Sequence, residues 1–370
     1  MHWLPVALLW LAALAGAGAG GDFATVTGPC GFVFPRDHGA HPDHRTEWWY
    51  YTGHLESGEG RRFGFQLTFF RHRIAPPRDR EHWPEPASAW RGDQVYLAHA
   101  ALTDVAQRRH LSAERTAREA LGLAGAVLEG QTVTVHLGPW HARIDDEGHH
   151  LEAETGDFVL SLDLAPLKPP VAHGDGGYSR KGTEAGQASC YYSLTRLEAR
   201  GRVTVEGRAH PVTGLAWMDH EYSTAPLEPG LAGWDWFSLQ LGDGTELMAF
   251  VLRRPDGTRH PASSGTLVAP DGRTRHLAGP DLLVEATRHW QSPRSGGRYP
   301  AGWRLQAPGP GLSLEILPVV DDQEMRTPGS TGVVYWEGLV EAAGRRDGRP
   351  VSGHGYVELT GYAGAFDAPL

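Results

Sequence analysis

Hydrophobic and polar residues alternate at period two in one segment of this chain after another. Val133, Val135 and Leu137 oppose Thr134 and His136; Phe158, Leu160, Leu162 and Leu164 oppose Ser161 and Asp163; Leu312, Leu314 and Ile316 oppose Ser313 and Glu315. Such alternation puts one face in a core and the other in water, as antiparallel strands require. Helical spacing recurs only from Ala113 to Leu123, which predicts one short helix. Gly and Pro number 48 and 27 in 370 residues and are spread along the chain, the distribution expected of many short strands joined by tight turns. The pattern predicts an all-β protein of antiparallel barrels or sandwiches, and a barrel encloses a cavity open at one mouth. Pro76 to Pro86 cannot join a central strand, because proline supplies no ladder donor, so this stretch reads as a long surface loop and a candidate lid.

The chain also echoes itself. Val212-Thr213-Gly214-Leu215-Ala216-Trp217-Met218-Asp219 returns as Val351-Ser352-Gly353-His354-Gly355-Tyr356-Val357-Glu358, with β-branched, hydroxyl, glycine, small, aromatic and acidic positions in the same order. Trp48, Tyr50, Tyr51, Leu55 and Gly58 match Trp234, Trp236, Phe237, Leu241 and Gly244 in the same way. Each half therefore opens on an aromatic strand and closes on a Gly-x-small-aromatic-x-acid strand, the mark of two related domains in tandem.

Residues 1–20 carry no Asp, Glu, Lys or Arg, and the apolar run from Leu4 to Ala15 leads into alternating Gly and Ala. A run this short before small residues predicts a secretory leader cleaved near Ala17 or Ala19, and a secreted or periplasmic protein. No later stretch is apolar for long enough to make a transmembrane helix. Thr27-Gly28-Pro29-Cys30 lacks the aliphatic residue expected of a lipid-anchored cysteine. Cys30 and Cys190 are the only cysteines, and export permits either one disulfide or two free thiols. A formal net charge of −10, from 34 basic and 44 acidic residues, argues against nucleic acid as a partner.

Five ordered motifs carry a resemblance: Phe34 to Leu55, Phe63 to Arg71, Tyr96 to Asp104, Gly174 to Gly182 and Trp234 to Leu241. Together they resemble the AttH / carotenoid 1,2-hydratase (CrtC-like) family, whose bacterial members are often described as secreted hydrolases. The resemblance implies two lipocalin-like β-barrel domains, at residues 28–224 and 225–365 behind the leader at 1–20. It also implies either a hydratase or hydrolase-type activity on a lipophilic substrate, or a lipid-binding carrier accompanying ABC-transporter components.

Candidate chemistry gathers at Trp217-Met218-Asp219-His220-Glu221-Tyr222. On a strand, Trp217, Asp219 and Glu221 share one face and Met218, His220 and Tyr222 the other. If the acidic face lines a dry barrel interior, burial and mutual repulsion raise one carboxyl pKa, giving a proton donor beside an acceptor. Such a pair protonates an alkene and guides water to the cation. Alternatively, Asp219 closes the barrel through hydrogen bonds, a role its echo Glu358 favours; His220 and Glu221, without an acidic or imidazole echo, are the sharper functional candidates. Glu47 precedes the aromatics Trp48, Trp49 and Tyr50. These aromatics, with Trp217, Tyr222, Trp234, Asp235 and Trp236, are ligand-binding candidates, since ring faces stabilise positive charge and wall an apolar chain; alternatively they build a core, a reading that the echo in Trp234-Asp235-Trp236 favours for Trp48 and Tyr50, leaving Glu47, Trp49 and Asp235 as positions specific to one domain. His99, on an apolar strand, is either a proton relay or a hydrogen-bonded structural histidine. Tyr178 and Lys181 lie in a Gly-rich cationic loop suited to a polar headgroup or to solvent, and Tyr192 follows Cys190 on a packed strand.

His38, His41 and His44 recur every third residue beside Asp37 and Asp43, but a segment broken by Gly and Pro does not guarantee convergent ligands, so no metal is assigned. No G-x-S-x-G, P-loop or dinucleotide fingerprint occurs, and no organic cofactor is expected. The strand from Glu246 to Leu252 is apolar after Glu246, where a carotenoid-hydrating relative is expected to carry a further acid. The ligand is therefore read as an isoprenoid-like or lipid molecule, with a carotenoid the less favoured member of that class.

Overall fold

A computed structural model describes residues 23–225 and 227–364. The leader and its cleavage site fall outside the described residues. The first half forms thirteen strands: β1 (Thr46–Ser57), β2 (Arg62–Arg73), β3 (Gln94–Asp104), β4 (Arg109–Arg118), β5 (Ala124–Glu129), β6 (Thr132–Leu137), β7 (Trp140–Asp145), β8 (Gly148–Glu154), β9 (Phe158–Pro166), β10 (Val171–Ala172), β11 (Tyr178–Arg180), β12 (Ala188–Val205) and β13 (Arg208–Ser223). The second half adds β14 (Gly233–Leu241), β15 (Glu246–Arg253), β16 (Ser264–Val268), β17 (Thr274–Leu277), β18 (Leu283–Gln291), β19 (Arg298–Ala307), β20 (Leu312–Pro318), β21 (Glu324–Arg326), β22 (Val334–Arg346) and β23 (Arg349–Leu359).

Each half makes its own antiparallel sheet. The order is β4-β3-β2-β1-β13-β12-β9-β8-β7-β6-β5 in the first and β17-β16-β15-β14-β23-β22-β20-β19-β18 in the second. Both paths begin and end on strands consecutive in the chain, so each sheet curls toward a barrel, and both join their first strand to their last. The sequence echo is thus structural. Tyr50 pairs with Asp219 across β1 and β13, as Trp236 pairs with Glu358 across β14 and β23. The repeated glycine has a steric cause: a Cβ on Gly214 would collide with the His54 carbonyl, and one on Gly353 with the Gln240 carbonyl.

Three cores result. Inward residues of the first sheet, among them Trp49, Tyr51, Phe65, Val133, Leu160 and Met218, fill the first barrel. Phe237, Leu305, Ile316 and Trp336 do the same in the second. The third core lies between the barrels, where Tyr50, Tyr191 and Trp217 pack against Trp236, Phe250, Leu339 and Tyr356. Polar contacts cross the same seam: buried Glu246 of β15 takes Lys168 at 2.6 Å and Arg196 from the first barrel, and His173 bridges Ser193 and Thr266. Glu246, an isolated acid at the head of an apolar strand, therefore joins the barrels.

Two expectations change. The segment from Ala113 to Leu123 is no helix: it continues β4, pairing Ala113 with Ala100 of β3, and turns after Arg118. As the last strand of the path, β4 is largely half-exposed, and that loose alternation mimics a helical stripe. The Pro-rich stretch is a surface loop with one 3-10 turn at Pro77–His82, anchored by Arg80 to Asp93 and Glu119. None of its residues lines the cavity described below.

Of the two alternatives for the cysteines, the structure takes the bonded one. Cys30 and Cys190 form a disulfide that fastens the N-terminal segment to β12 across a separation of 160 residues. Closing so long a loop restricts the unfolded chain, so replacing both cysteines by serine is expected to cost about 2–4 kcal/mol. Denaturant unfolding, with and without reductant, reads this as a lower midpoint in the variant and in the reduced wild type.

Candidate functional site

Alternation along β1 and β13 sorts the candidates onto the two sides of one sheet. Outward-facing Trp48, Tyr50, Asp219 and Glu221 meet Trp234, Trp236, Phe250, Tyr335, Glu337 and Glu358 of the second barrel around a cavity of about 130 Å³. His99 and Lys181 complete its wall from the first barrel. The two barrels contribute nearly equally and from matching positions. Trp48 corresponds to Trp234, Tyr50 to Trp236, Tyr191 to Tyr335 and Asp219 to Glu358, by their common register. The echo therefore marks cavity walls, and Trp48 and Tyr50 face the cavity while Trp49 packs in the first core. The compartment lies between the barrels rather than inside the leading one.

Acidic groups dominate this cavity. Both oxygens of Asp219 are engaged: Tyr191 donates to Oδ2 at 2.5 Å, while Trp217 Nε1, at 2.6 Å, and Ser193 donate to Oδ1. Burial nonetheless raises its pKa to about 7, against those three hydrogen bonds. Glu358, half-buried at the cavity wall, accepts from Trp234 Nε1 at 2.8 Å, and loss of hydration there pushes it up to about 7 as well. Glu337 stands directly across from Glu358 in the β22–β23 pairing. It is fully buried, takes the Tyr50 hydroxyl on Oε1, and its Oε2 has no hydrogen-bond partner. Burial, then the charge of Glu358, holds the Glu337 carboxyl well above the usual range. Two carboxyls this close in a dry site resist ionising together. Glu221 differs, being paired with Lys181 at 3.0 Å and with Ser189.

Glu337 is the residue that sequence reasoning missed. Its signal is an isolated acid in the apolar strand Val334-Tyr335-Trp336-Glu337-Gly338-Leu339-Val340, at the position where the first barrel has Ser193.

The remaining candidates lie on the other side of their sheets. His220 and Tyr192 sit on the inner face of the first barrel, their side chains joined at 3.0 Å, with His220 Nε2 2.8 Å from Glu47. Glu47 is wholly buried against Arg71 at 2.8 Å and His41 at 2.7 Å. Burial opposes charge in this cluster but is outweighed: Arg71 and His41 keep Glu47 well below the carboxylate range, and Glu47 and Asp37 raise His41 to about 9. His41, Glu47 and His220 converge closely enough to suggest a metal. In this structure Arg71 and His41 pair with Glu47 directly. Tyr222 stacks on His41 at 3.6 Å, and Tyr178 packs beside the disulfide. Asp235 is held by Arg253 and Tyr362 within the second barrel. At the cavity edge, His99 bridges Tyr335 and Ser330 at 2.8 Å each, and burial lowers it to about 3.

A tandem pair of lipocalin-like barrels, joined face to face over a buried acidic and aromatic cavity, defines the class. Within it, this chain belongs to the AttH-like family, whose model matches residues 25–362. A crystal structure of an AttH candidate from Nitrosomonas europaea is 38% identical, covers 92% of this chain and 100% of its own, and superposes with a TM-score of 0.81. Kievitone hydratase from Nectria haematococca shares the fold at 14% identity, covering 93% and 98% of the two chains, with a TM-score of 0.68. CghA does so at 15% identity, 93% and 97% coverage and a TM-score of 0.54. A comparison with curated proteins finds no match.

Two outcomes test this electrostatic picture. Because the folded pKa of Glu358 lies above its ordinary value of 4.5, its ionisation costs stability as pH rises from about 4.5 through 7. Glu358→Gln is therefore expected to melt higher than wild type at about pH 9, by up to about 3 kcal/mol of stability, and to match it at about pH 4. Glu47→Gln strands buried Arg71 and is expected to cost about 3–5 kcal/mol, measured by denaturant titration at neutral pH.

Proposed function

We propose that the protein is an exported hydratase-type enzyme that adds water to a carbon–carbon double bond of a lipophilic, isoprenoid-like or lipid substrate held between its two barrels. The observation that carries this reading is the unpartnered, buried Oε2 of Glu337 on the cavity wall, next to Glu358 and backed by the Tyr50 hydroxyl. A carboxyl kept neutral by its surroundings can give its proton to an alkene carbon. The adjacent carbon becomes a cation, which the ring faces of Trp48, Trp234 and Trp236 and nearby carboxylates stabilise. Water adds to that carbon and yields a proton to the Glu358 carboxylate, so that one water is gained and no net charge. Returning that proton to Glu337 resets the pair. Asp219 and Tyr191, hydrogen-bonded to each other, and the Lys181–Glu221 pair form polar parts of the first-barrel wall.

The Cys30–Cys190 disulfide supports export, because such bonds persist in oxidising compartments. The fold shared with kievitone hydratase indicates that this architecture can host water addition. A second reading has its own support. Asp219 and Glu221 are fully engaged by protein donors, as in a rigid binding surface, and a carrier delivering a lipid-like ligand to an ABC transporter would need no free acid.

Mass spectrometry of lipids incubated with the mature protein separates the two. A product one water heavier is expected to accumulate with wild type, and Glu337→Gln is expected to slow it by at least about 100-fold with little change in ligand affinity. Ligand exchange without any hydrated product would instead establish the carrier.

A further inference from the structure

Asp219, Glu221, Glu337 and Glu358 line the inter-barrel cavity against one basic side chain, Lys181. Lys181 is committed: its Nζ is 3.0 Å from Glu221 and lies 4.1 Å over the Phe250 ring. Among the described residues, Asp219, Glu337 and Glu358 have no cationic partner. The rest of the wall is largely aromatic, with the indoles of Trp48, Trp234 and Trp236 on the same space. Ring faces attract positive charge, most strongly where water is excluded. Fully buried Glu337, whose Oε2 has no hydrogen-bond partner in the protein, adds a further carboxyl to the same wall.

We propose that the cavity binds a lipophilic organic cation of the substituted ammonium class, held by the ring faces of Trp48, Trp234 and Trp236 and by the carboxylates of Asp219 and Glu358. The proposal rests on the reading of this cavity as the place where a carbocation forms, because an ammonium ion is a stable likeness of that intermediate. The carrier reading predicts a neutral ligand with no such preference.

The attraction depends on pH in a defined sense. Burial holds Asp219 and Glu358 at about 7, so both are anionic in mild base and neutral in mild acid. Their neighbours do not change charge over that window. Burial keeps the hydroxyls of Tyr50, Tyr191 and Tyr335 well above their ordinary range and His99 down at about 3. Burial and the charge of Glu358 hold Glu337 well above the ordinary carboxylate range.

Phenyltrimethylammonium and tert-butylbenzene have the same shape and differ by one charge, which makes them the probes. Their affinities for the mature protein can be read from the quenching of its tryptophan fluorescence. Phenyltrimethylammonium is expected to bind about tenfold more tightly than tert-butylbenzene at about pH 9, and the difference is expected to vanish at about pH 5. Glu358→Gln, which keeps an acceptor for Trp234, should lower the preference severalfold at pH 9 while the fold, followed by thermal melting, stays intact. Equal or tighter binding of the neutral probe at pH 9, a preference unaltered by acid, or no binding of either probe would each overturn the proposal. A hydrated product without cation preference ends this inference alone; cation preference without a hydrated product ends the hydratase reading alone.

Discussion

A tyrosine of one barrel donates to a glutamate of the other, and a tryptophan of the second donates back to a tyrosine of the first. These contacts, Tyr50 to Glu337 and Trp236 Nε1 to Tyr191 at 3.0 Å, tie together the outer faces of two duplicated sheets. Each sheet already has a filled interior, so its outer face of tryptophans, tyrosines and acids has only the other sheet to cover it. Burying those faces removes water from groups that can be satisfied only across the seam. Where they are satisfied, the seam is a core; where they are not, it is a cavity.

The chemistry follows from that desolvation. An acid in water at neutral pH is an anion, but Asp219, Glu337 and Glu358 lose their hydration without gaining a cation, and their proton affinity rises. On the inner face of the first sheet, Glu47 is buried too and behaves oppositely, because Arg71 and His41 supply the charge that water no longer does. The first sheet thus separates Asp219, whose proton affinity is raised, from Glu47, which is held as an anion. Duplication made the cavity roughly symmetric, and divergence made it chemical: Ser193 of the first barrel corresponds to Glu337 of the second, and Glu221 to Thr360.

Much of this was legible beforehand, for reasons visible in particular residues. Period-two alternation revealed the strands, because the pleat maps odd and even positions to opposite faces, and it correctly separated Asp219 and Glu221 from His220 and Tyr222. It failed at β4, where an edge strand with a half-exposed face does not alternate cleanly. The echo between the halves exposed the tandem barrels. What it could not convey was which way the aromatics faced, so core packing and a ligand wall both stayed open for Trp48 and Tyr50, and Trp49, which packs in the first core, was counted with them. Glu337 escaped notice because a lone acid on a strand has no meaning until the strand opposite it is known.

The sequence by itself determined the all-β architecture, the duplication, the family and the set of acids and aromatics from which a site could be made, since all of these depend on local periodicity and on motifs within short stretches. Tertiary structure alone decided that the compartment lies between the barrels, that Glu337 faces Glu358, and that Glu47 is neutralised while Glu337 is not. Those outcomes depend on which charges and donors come within a few ångströms after folding, and residues such as Tyr50 and Glu337, 287 positions apart in the chain, meet only then.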